Sequence, residues 1–156
     1  MKIFRMILGT MLLFVLFSTL KSQEHNSKVI VYENFKSEYV KSRNVEVWLP
    51  ENYSKEKKYS VSYMHDGQNV FNPLTSYTGI DWGADETMDS LISEGKVREA
   101  IIVAAWCTDL RFNEYMPNIE LSDDQKELLK QRTESALLSD SYLKFLVEEL
   151  KPFIDK

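Results

Sequence analysis

The chain has 156 residues, of which 44% are hydrophobic and 28% charged, and this composition is that of a globular protein of at most one domain. Its formal net charge of −5 argues against nucleic acid as the main partner, because neutralising phosphates requires clustered lysine and arginine. A single cysteine, Cys107, excludes an internal disulfide framework and a multi-cysteine zinc site.

The first 22 residues have the pattern of a secretory signal peptide. Positive residues precede an apolar stretch over residues 6–17, after which the sequence becomes polar. We expect cleavage after Ser22, which leaves residues 23–156; three positive and no negative charges are removed, so the net charge changes from −5 to −8. An uncleaved membrane anchor is the alternative, but Gly9 and Thr10 interrupt the stretch, and a span needs roughly 18 to 20 apolar residues.

Three segments that follow the signal peptide predict β-strands. Lys28–Tyr32 is rich in β-branched residues, and Asn44–Leu49 alternates polar and apolar residues until a proline ends it. We expect these two segments to form an antiparallel pair. A charged connection then leads to a third strand, Tyr59–His65, which ends at the loop sequence 66–69.

The next part of the chain predicts a βαβ unit. A helix is expected between Gly83 and Gly95, because apolar residues recur at helical spacing and acidic residues lie near its start. The continuous apolar run Ala100–Ala105 predicts a strand that is buried on both faces and parallel to the third strand, with a right-handed crossover. Cys107 follows this run, and we interpret it as a small buried hydrophobic residue rather than a nucleophile.

The last third of the chain is predicted to leave the sheet. Residues 108–119 resemble a loop, and Ser122 begins a capping box that predicts a polar helix to about Glu134. A final helix is expected from Ser139 to near Pro152. Its apolar stripe consists of Tyr142, Leu143, Leu146, Val147, Leu150 and Phe153. Two parallel strands give such a stripe little to pack against, so the chain is either an unusual small α/β domain or the front portion of a larger one.

The segment His65–Gln68 is the first candidate for chemistry, because it lies where a strand ends and a loop begins. A glycine there would let the backbone turn and present N–H groups to a cavity, as an oxyanion hole requires. Asp-Gly is also an ordinary β-turn dipeptide, and His65 alone fits a core residue at a strand end better than a general base. Both interpretations remain open at this point.

Two other kinds of site find little support. His25 lies close to the expected cleavage site, so only His65 could serve a Ser-His-Asp triad, and no serine stands in the Gly-x-Ser-x-Gly spacing of a nucleophile elbow. A metal site is disfavoured because no histidine joins the acidic residues near the helix start, and a solvated first turn explains them. These residues are Asp81, Asp85, Glu86 and Asp89. We therefore predict no metal and no cofactor.

Aromatic residues flank the same loops and could either stack on sugar or aryl groups or pack as core and rim residues. They are Tyr77, Trp82, Trp106, Phe112 and Tyr115.

Four segments, taken in order, resemble the putative esterase family of α/β-hydrolases. They are Arg43–Pro50, Tyr63–Phe71, Trp82–Thr87 and Tyr142–Asp155. That family includes enterochelin esterase-like enzymes, S-formylglutathione hydrolase, and feruloyl and acetylxylan esterases. The resemblance extends over about residues 28–156.

The resemblance implies a partial α/β-hydrolase fold, with a backbone N–H of the oxyanion hole on Asp66, Gly67 or Gln68. The nucleophilic serine, the second oxyanion donor, the acid and the histidine of such enzymes would lie beyond residue 156, so no catalytic side chain is expected in this chain. Trp82 and Trp106 are the candidate substrate-binding residues.

The function expected from this resemblance is that of the N-terminal part of a secreted or periplasmic serine esterase that is inactive alone. Export and the aromatic residues suggest a small-molecule or carbohydrate-linked ester, such as an acyl group on a polysaccharide or siderophore. The alternative is an exported, non-catalytic ligand-binding α/β module. No membrane span is expected once the signal peptide is removed.

Overall fold

A four-stranded mixed sheet lies at the centre of the fold. The computed structural model describes residues 27–133 and 136–156, so the expected signal peptide lies outside the described residues. The strands are β1 (Lys28–Phe35), β2 (Arg43–Leu49), β3 (Ser60–Met64) and β4 (Ala100–Ala105), in the spatial order β1-β2-β4-β3. The β1–β2 pair is antiparallel and the β3–β4 pair is parallel, which confirms both predicted pairings, and β2 also pairs antiparallel with β4.

Strand β4 contributes side chains to both layers of the core, as its continuous apolar sequence predicts. Ile101, Val103 and Ala105 belong to one buried cluster, and Ile102 and Ala104 belong to the other. This alternation follows from the two-residue repeat of a strand. A sheet with a central strand buried on both faces requires helices on both sides.

Helix α1 (Ala84–Ser93) covers one face of the sheet and confirms the predicted βαβ unit. Its apolar residues Ala84, Met88 and Ile92 pack against the cluster that contains Trp48. Gly83 before the helix and Gly95 after it have φ angles of 56° and 67°, a left-handed conformation that glycine adopts at little cost.

The C-terminal helix covers the opposite face and differs from a regular α-helix. It consists of α4 (Ser139–Lys144), a π-helical turn (Phe145–Leu150) and α5 (Lys151–Ile154). The N–H of Lys151 donates to the carbonyl of Leu146, five residues earlier. Pro152 has no N–H and its ring crowds the preceding turn, which explains why the helix widens at this point.

The wide turn changes which residues of this helix reach the core. Tyr142 and Leu150 are buried as the predicted stripe requires, and so is Phe145, which the stripe did not include. Leu143 and Val147 are more than half exposed, so their assignment to the buried stripe is wrong. Residues 145 and 150 lie on different sides of a regular α-helix, whereas a π turn brings them to the same side.

The connection after β4 contains a helix where a loop was predicted. Helix α2 (Arg111–Tyr115) has only five residues and no side-chain cap, so its sequence carries little helical signal. Helix α3 (Asp123–Arg132) follows, and it begins with the predicted capping box between Ser122 and Gln125. Among the helices that the structure describes, none has the length and apolarity needed to cross a membrane.

Candidate active site

The carboxyl end of β3 leads into a short 3₁₀ turn, Gly67–Asn69, that forms the centre of the site. Asp66 precedes this turn with φ 53° and ψ 44°, in the left-handed region. A non-glycine residue rarely adopts this conformation, although aspartate tolerates it better than most residues do. The surroundings of Asp66 must therefore stabilise its backbone.

Gly67 is required because the turn lies directly against the backbone of β4. A Cβ atom at Gly67 would be 2.7 Å from both the carbonyl carbon and the carbonyl oxygen of Ala104. This finding corrects the sequence interpretation, which assigned the turn's conformational freedom to the glycine. The left-handed residue is Asp66, and Gly67 instead permits the close approach to the sheet.

The N–H groups of the turn divide into engaged and unengaged donors. Asn69 donates to the carbonyl of Asp66 at 2.9 Å, and Val70 donates to the carbonyl of Gly67 at 3.1 Å. The N–H of Asp66 donates to the hydroxyl of Tyr115 at 3.3 Å. Within residues 27–133 and 136–156, no acceptor meets the N–H of Gly67 or Gln68, as expected for the first donors of a helical turn.

Arg111 of α2 binds the carboxylate of Asp66 with both arms of its guanidinium. The Nε–Oδ1 and Nη2–Oδ2 distances are both 2.7 Å. Arg111 holds the pKa of Asp66 below its usual range, because the charged carboxylate receives both hydrogen bonds. The same guanidinium lies over the ring of Tyr115, 5.0 Å from its centroid. Arg111 and Tyr115 thus contact both the side chain and the backbone of Asp66.

A buried ion pair fixes α2 to the sheet. Arg43 of β2 binds Glu114 through Nη2–Oε1 and Nη1–Oε2 contacts of 2.6 and 3.0 Å, and the two side chains are 1% and 0% exposed. The guanidinium of Arg43 also lies 5.0 Å from the ring centroids of Tyr142 and Phe145. The pair could not be predicted from the sequence, because its members are 71 residues apart and no local pattern links them.

His65 lies at the surface beside this aromatic cluster rather than in the core, so its interpretation as a core residue is wrong. The residue is exposed, and its Nδ1 is 2.9 Å from the hydroxyl of Tyr142. Burial raises the pKa of Tyr142 to about 12, so the hydroxyl keeps its proton at neutral pH. A cleft of about 540 Å³ opens here, lined in part by His65, Tyr115 and Tyr142.

Cys107 lies beyond the end of β4 and takes part in a polar cluster, so its prediction as a buried hydrophobic residue is wrong. The Nε2 of Gln68 donates to its sulfur at 2.9 Å, and its N–H donates to Oε1 of Gln68 at 3.2 Å. The Tyr77 hydroxyl is 3.1 Å from the same sulfur, and this contact raises the pKa of Tyr77. Cys107 is half-buried, and the Gln68 carboxamide links it to the 3₁₀ turn.

The two candidate substrate-binding tryptophans differ in exposure. Trp82 is 52% exposed. Its backbone N–H donates to the carbonyl of Asn69 at 2.8 Å, which places the residue next to the 3₁₀ turn. Trp106 is half-buried, and its indole nitrogen is shielded from solvent. Three apolar residues of the loop before Trp82 are also exposed, namely Leu74, Tyr77 and Ile80. The side of the turn near Trp82 is therefore an open apolar surface.

The structure brings together three of the four acidic residues considered for a metal site. Carboxylate oxygens of Asp81, Asp85 and Glu86 lie within 4.8 Å of one another, whereas Asp89 accepts a hydrogen bond from Ser27 at 2.6 Å. Burial, followed by a hydrogen bond with Glu86, raises the pKa of Asp85 to about 7. Asp85 therefore favours its protonated form beside a second carboxyl, and the absence of a metal stays a prediction.

Comparison with known proteins decides the family. The sequence profile described as Putative esterase matches residues 37–156. The chain belongs to this family. No curated protein gives a significant match to this member of the family.

Solved structures agree with the esterase family's fold. A ferulic acid esterase is 26% identical, with a TM-score of 0.51 over 84% of this chain and 44% of that one. The IroE-like serine hydrolase from Shewanella oneidensis is 23% identical, with a TM-score of 0.54 over 85% and 38% of the two chains. The BES protein from Bacillus cereus is 18% identical, with a TM-score of 0.53 over 83% and 45%.

These similarities show a partial α/β-hydrolase fold, as predicted, because the chain spans less than half the length of each of these structures.

Proposed function

We propose that this chain forms the N-terminal part of a secreted serine esterase and supplies its part of the oxyanion hole through the N–H groups of Gly67 and Gln68. The observation that carries the proposal is the division of donors in the 3₁₀ turn. The N–H groups of Asp66, Asn69 and Val70 donate to acceptors within the protein. Within the described residues, those of Gly67 and Gln68 do not, and they lie at the carboxyl end of a parallel strand. Strand ends of this kind bind ligands in α/β sheets.

These donors would act where negative charge develops. When a serine oxygen attacks an ester carbonyl, the carbonyl oxygen becomes an oxyanion, and fixed N–H groups stabilise it more than they stabilise the ground state. Gly67 lies against the backbone of β4, so these donors need little reorganisation during the reaction. Each such donor contributes roughly 100- to 1,000-fold to kcat in serine hydrolases.

The serine, the acid and the catalytic histidine are not assigned to this chain. The sequence lacks a serine in nucleophile-elbow spacing, and the family resemblance places these residues beyond residue 156. His65 binds the Tyr142 hydroxyl instead. We therefore propose that the 156-residue chain alone is inactive.

An aryl or carbohydrate-linked ester is the proposed substrate class. The relative with 26% identity is a ferulic acid esterase, and the exposed Trp82 next to the turn offers a flat surface for a ring. Trp106 would contribute its ring from the sheet side. Export is proposed from the N-terminal sequence, which has the charge and apolar pattern of a signal peptide.

Hydrolysis of p-nitrophenyl acetate and methyl ferulate tests this function. The 156-residue chain and the product of its complete reading frame are assayed in parallel, with and without an organophosphate. We expect organophosphate-sensitive turnover only from the longer product. Serine-dependent turnover by the 156-residue chain would contradict the proposed division of the active site. A stop codon after Lys156, together with a stable monomer that binds ligand without turnover, would support the non-catalytic module.

A further inference from the structure

We propose that Arg111 and Tyr115 are positioning residues for the esterase reaction, because together they hold Asp66 in the left-handed conformation that keeps the Gly67 and Gln68 N–H groups in place. This inference rests on the proposed function and extends it to residues that contact no substrate. It concerns the contacts of α2 with the residue that precedes the 3₁₀ turn.

Three contacts converge on Asp66 from one turn of α2. Arg111 binds both carboxylate oxygens at 2.7 Å, and Tyr115 accepts the hydrogen bond of the Asp66 N–H at 3.3 Å. The two α2 residues are four positions apart, so they lie on the same side of the helix. The guanidinium lies over the Tyr115 ring at 5.0 Å, which fixes one residue relative to the other.

These contacts stabilise an unfavourable backbone conformation at Asp66. Asp66 has φ 53°, a conformation in which the Cβ of an L-residue is crowded by its own backbone. Without external contacts, the free energy of Asp66 would favour a negative φ angle. Rotation at Asp66 would turn the following peptide units and move the Gly67 and Gln68 N–H groups away from a common acceptor.

Helix α2 is suited to this task because it is itself immobilised. Glu114, between the two positioning residues, is fully buried and bound to Arg43 of β2. Arg43 also donates to the carbonyl of Lys41 at 3.2 Å and lies over two aromatic rings. Helix α2 is therefore fixed to the sheet, and its contacts in turn fix Asp66.

Because the Arg111–Asp66 pair is partly exposed, its loss should affect the position of the Asp66 backbone more than the folding stability. The Arg111 side chain is 52% exposed and that of Asp66 is 14% exposed. Ion pairs with one exposed partner contribute little to folding stability, since water screens them. Loss of Arg111 should therefore leave the chain folded while it frees the backbone of Asp66.

Kinetics of the esterase encoded by the complete reading frame test the proposal. Arg111→Met should lower kcat about tenfold and leave KM unchanged. A displaced oxyanion donor stabilises the transition state less, whereas substrate binding does not depend on it. Arg111→Lys keeps the charge and loses the two-armed contact, so its kcat should lie between those of wild type and Arg111→Met. Lys41→Met is the matched control, since it removes an exposed ion pair with Asp109 in the same region and should leave kcat unchanged.

A substitution series at Asp66 distinguishes backbone conformation from charge. Glycine and asparagine accept a left-handed φ angle, whereas alanine does not. We expect Asp66→Gly and Asp66→Asn to retain more kcat than Asp66→Ala, although all three remove the carboxylate. Equal kcat for the three variants, or an Arg111→Met enzyme with wild-type kcat, would overturn the proposal.

NMR of the 156-residue chain separates failure of this inference from failure of the proposed function. Arg111→Met should shift the amide resonances of Gly67 and Gln68 and leave that of Gly95 unchanged. Unshifted Gly67 and Gln68 resonances would overturn the positioning role, whatever the activity. Absence of esterase activity in the wild-type long product would overturn the proposed function, and with it the catalytic purpose of the contacts.

Discussion

Arg43 and Glu114 bind each other through two hydrogen bonds in the interior, although 71 residues separate them in the sequence. The pair joins a central strand to the short helix that contacts the candidate site. Removing one partner of such a pair leaves an uncompensated buried charge, which is far more destabilising than removing both.

Glu114→Ala should therefore lower the free energy of unfolding by about 3 to 5 kcal/mol. Urea denaturation monitored by circular dichroism measures this loss. The double variant Arg43→Met, Glu114→Leu should recover most of it, because no charge then remains buried. Asp109→Ala, which breaks an exposed pair with Lys41, serves as the control and should change stability by less than about 1 kcal/mol. A single and a double variant of equal stability would contradict this account.

Gly67→Ala should disrupt the site by a steric route. The added methyl group would lie 2.7 Å from backbone atoms of Ala104, which cannot move aside as a flexible side chain can. We expect a loss of more than about 2 kcal/mol of folding stability, which exceeds the roughly 1 to 2 kcal/mol that a left-handed alanine costs at a glycine such as Gly95.

Gly95→Ala is the matched control for that comparison, because its Cβ would meet open space while its φ of 67° still disfavours alanine. Thermal melting of both variants measures the difference. Equal losses at Gly67 and Gly95 would show that contact with β4 does not explain the requirement for glycine at position 67.

Asp85 should make the protein less stable as the pH rises. Its pKa is about 7 in the folded state, above its ordinary value of 3.8, so the folded state holds a proton that the unfolded state has lost between these values. Stability from this group is complete below about pH 4 and decreases up to about pH 7. Asp85→Asn is neutral at every pH, so it should be more stable than wild type at pH 8, with a smaller difference at pH 4.

Urea midpoints at pH 4, 6 and 8 provide the measurement for Asp85. An Asp85→Asn curve parallel to that of wild type would rule out the raised pKa.

The C-terminal helix offers a test of which residues it buries. Phe145→Ala should cost about 3 to 5 kcal/mol, since the ring is fully buried between sheet and helix. Leu143→Lys should change stability by less than about 0.5 kcal/mol, because Leu143 is 57% exposed. Denaturation curves of the two variants provide the comparison. A larger loss of stability for Leu143→Lys would support the regular α-helical stripe, in which Leu143 is buried.

Much of the fold could be predicted because its determinants are local. The apolar run of β4, the glycines that flank α1 and the capping box at Ser122 each fix an element through nearby residues. The four family segments then placed Gly67 at the end of a parallel strand, where the structure has it.

The missed features depend on contacts between distant residues or on a departure from regular geometry. Helix α2 contains Glu114, which binds Arg43 of the sheet, and no spacing rule reveals a pair of that kind. Cys107 appeared apolar from its neighbours, but Gln68 supplies it with polar contacts across 39 residues. Phe145 was overlooked because the π turn at this point breaks the 3.6-residue repeat.

The π turn before Pro152 also has a consequence for comparing this chain with its relatives. A π turn accommodates one residue more than an α turn of similar rise, so it is equivalent to a single insertion within a helix. A homologue with a regular helix here would need one residue fewer between Tyr142 and Leu150. Alignments of the family should then contain a one-residue gap inside this helix, and a gapless alignment would assign its buried residues to the wrong positions.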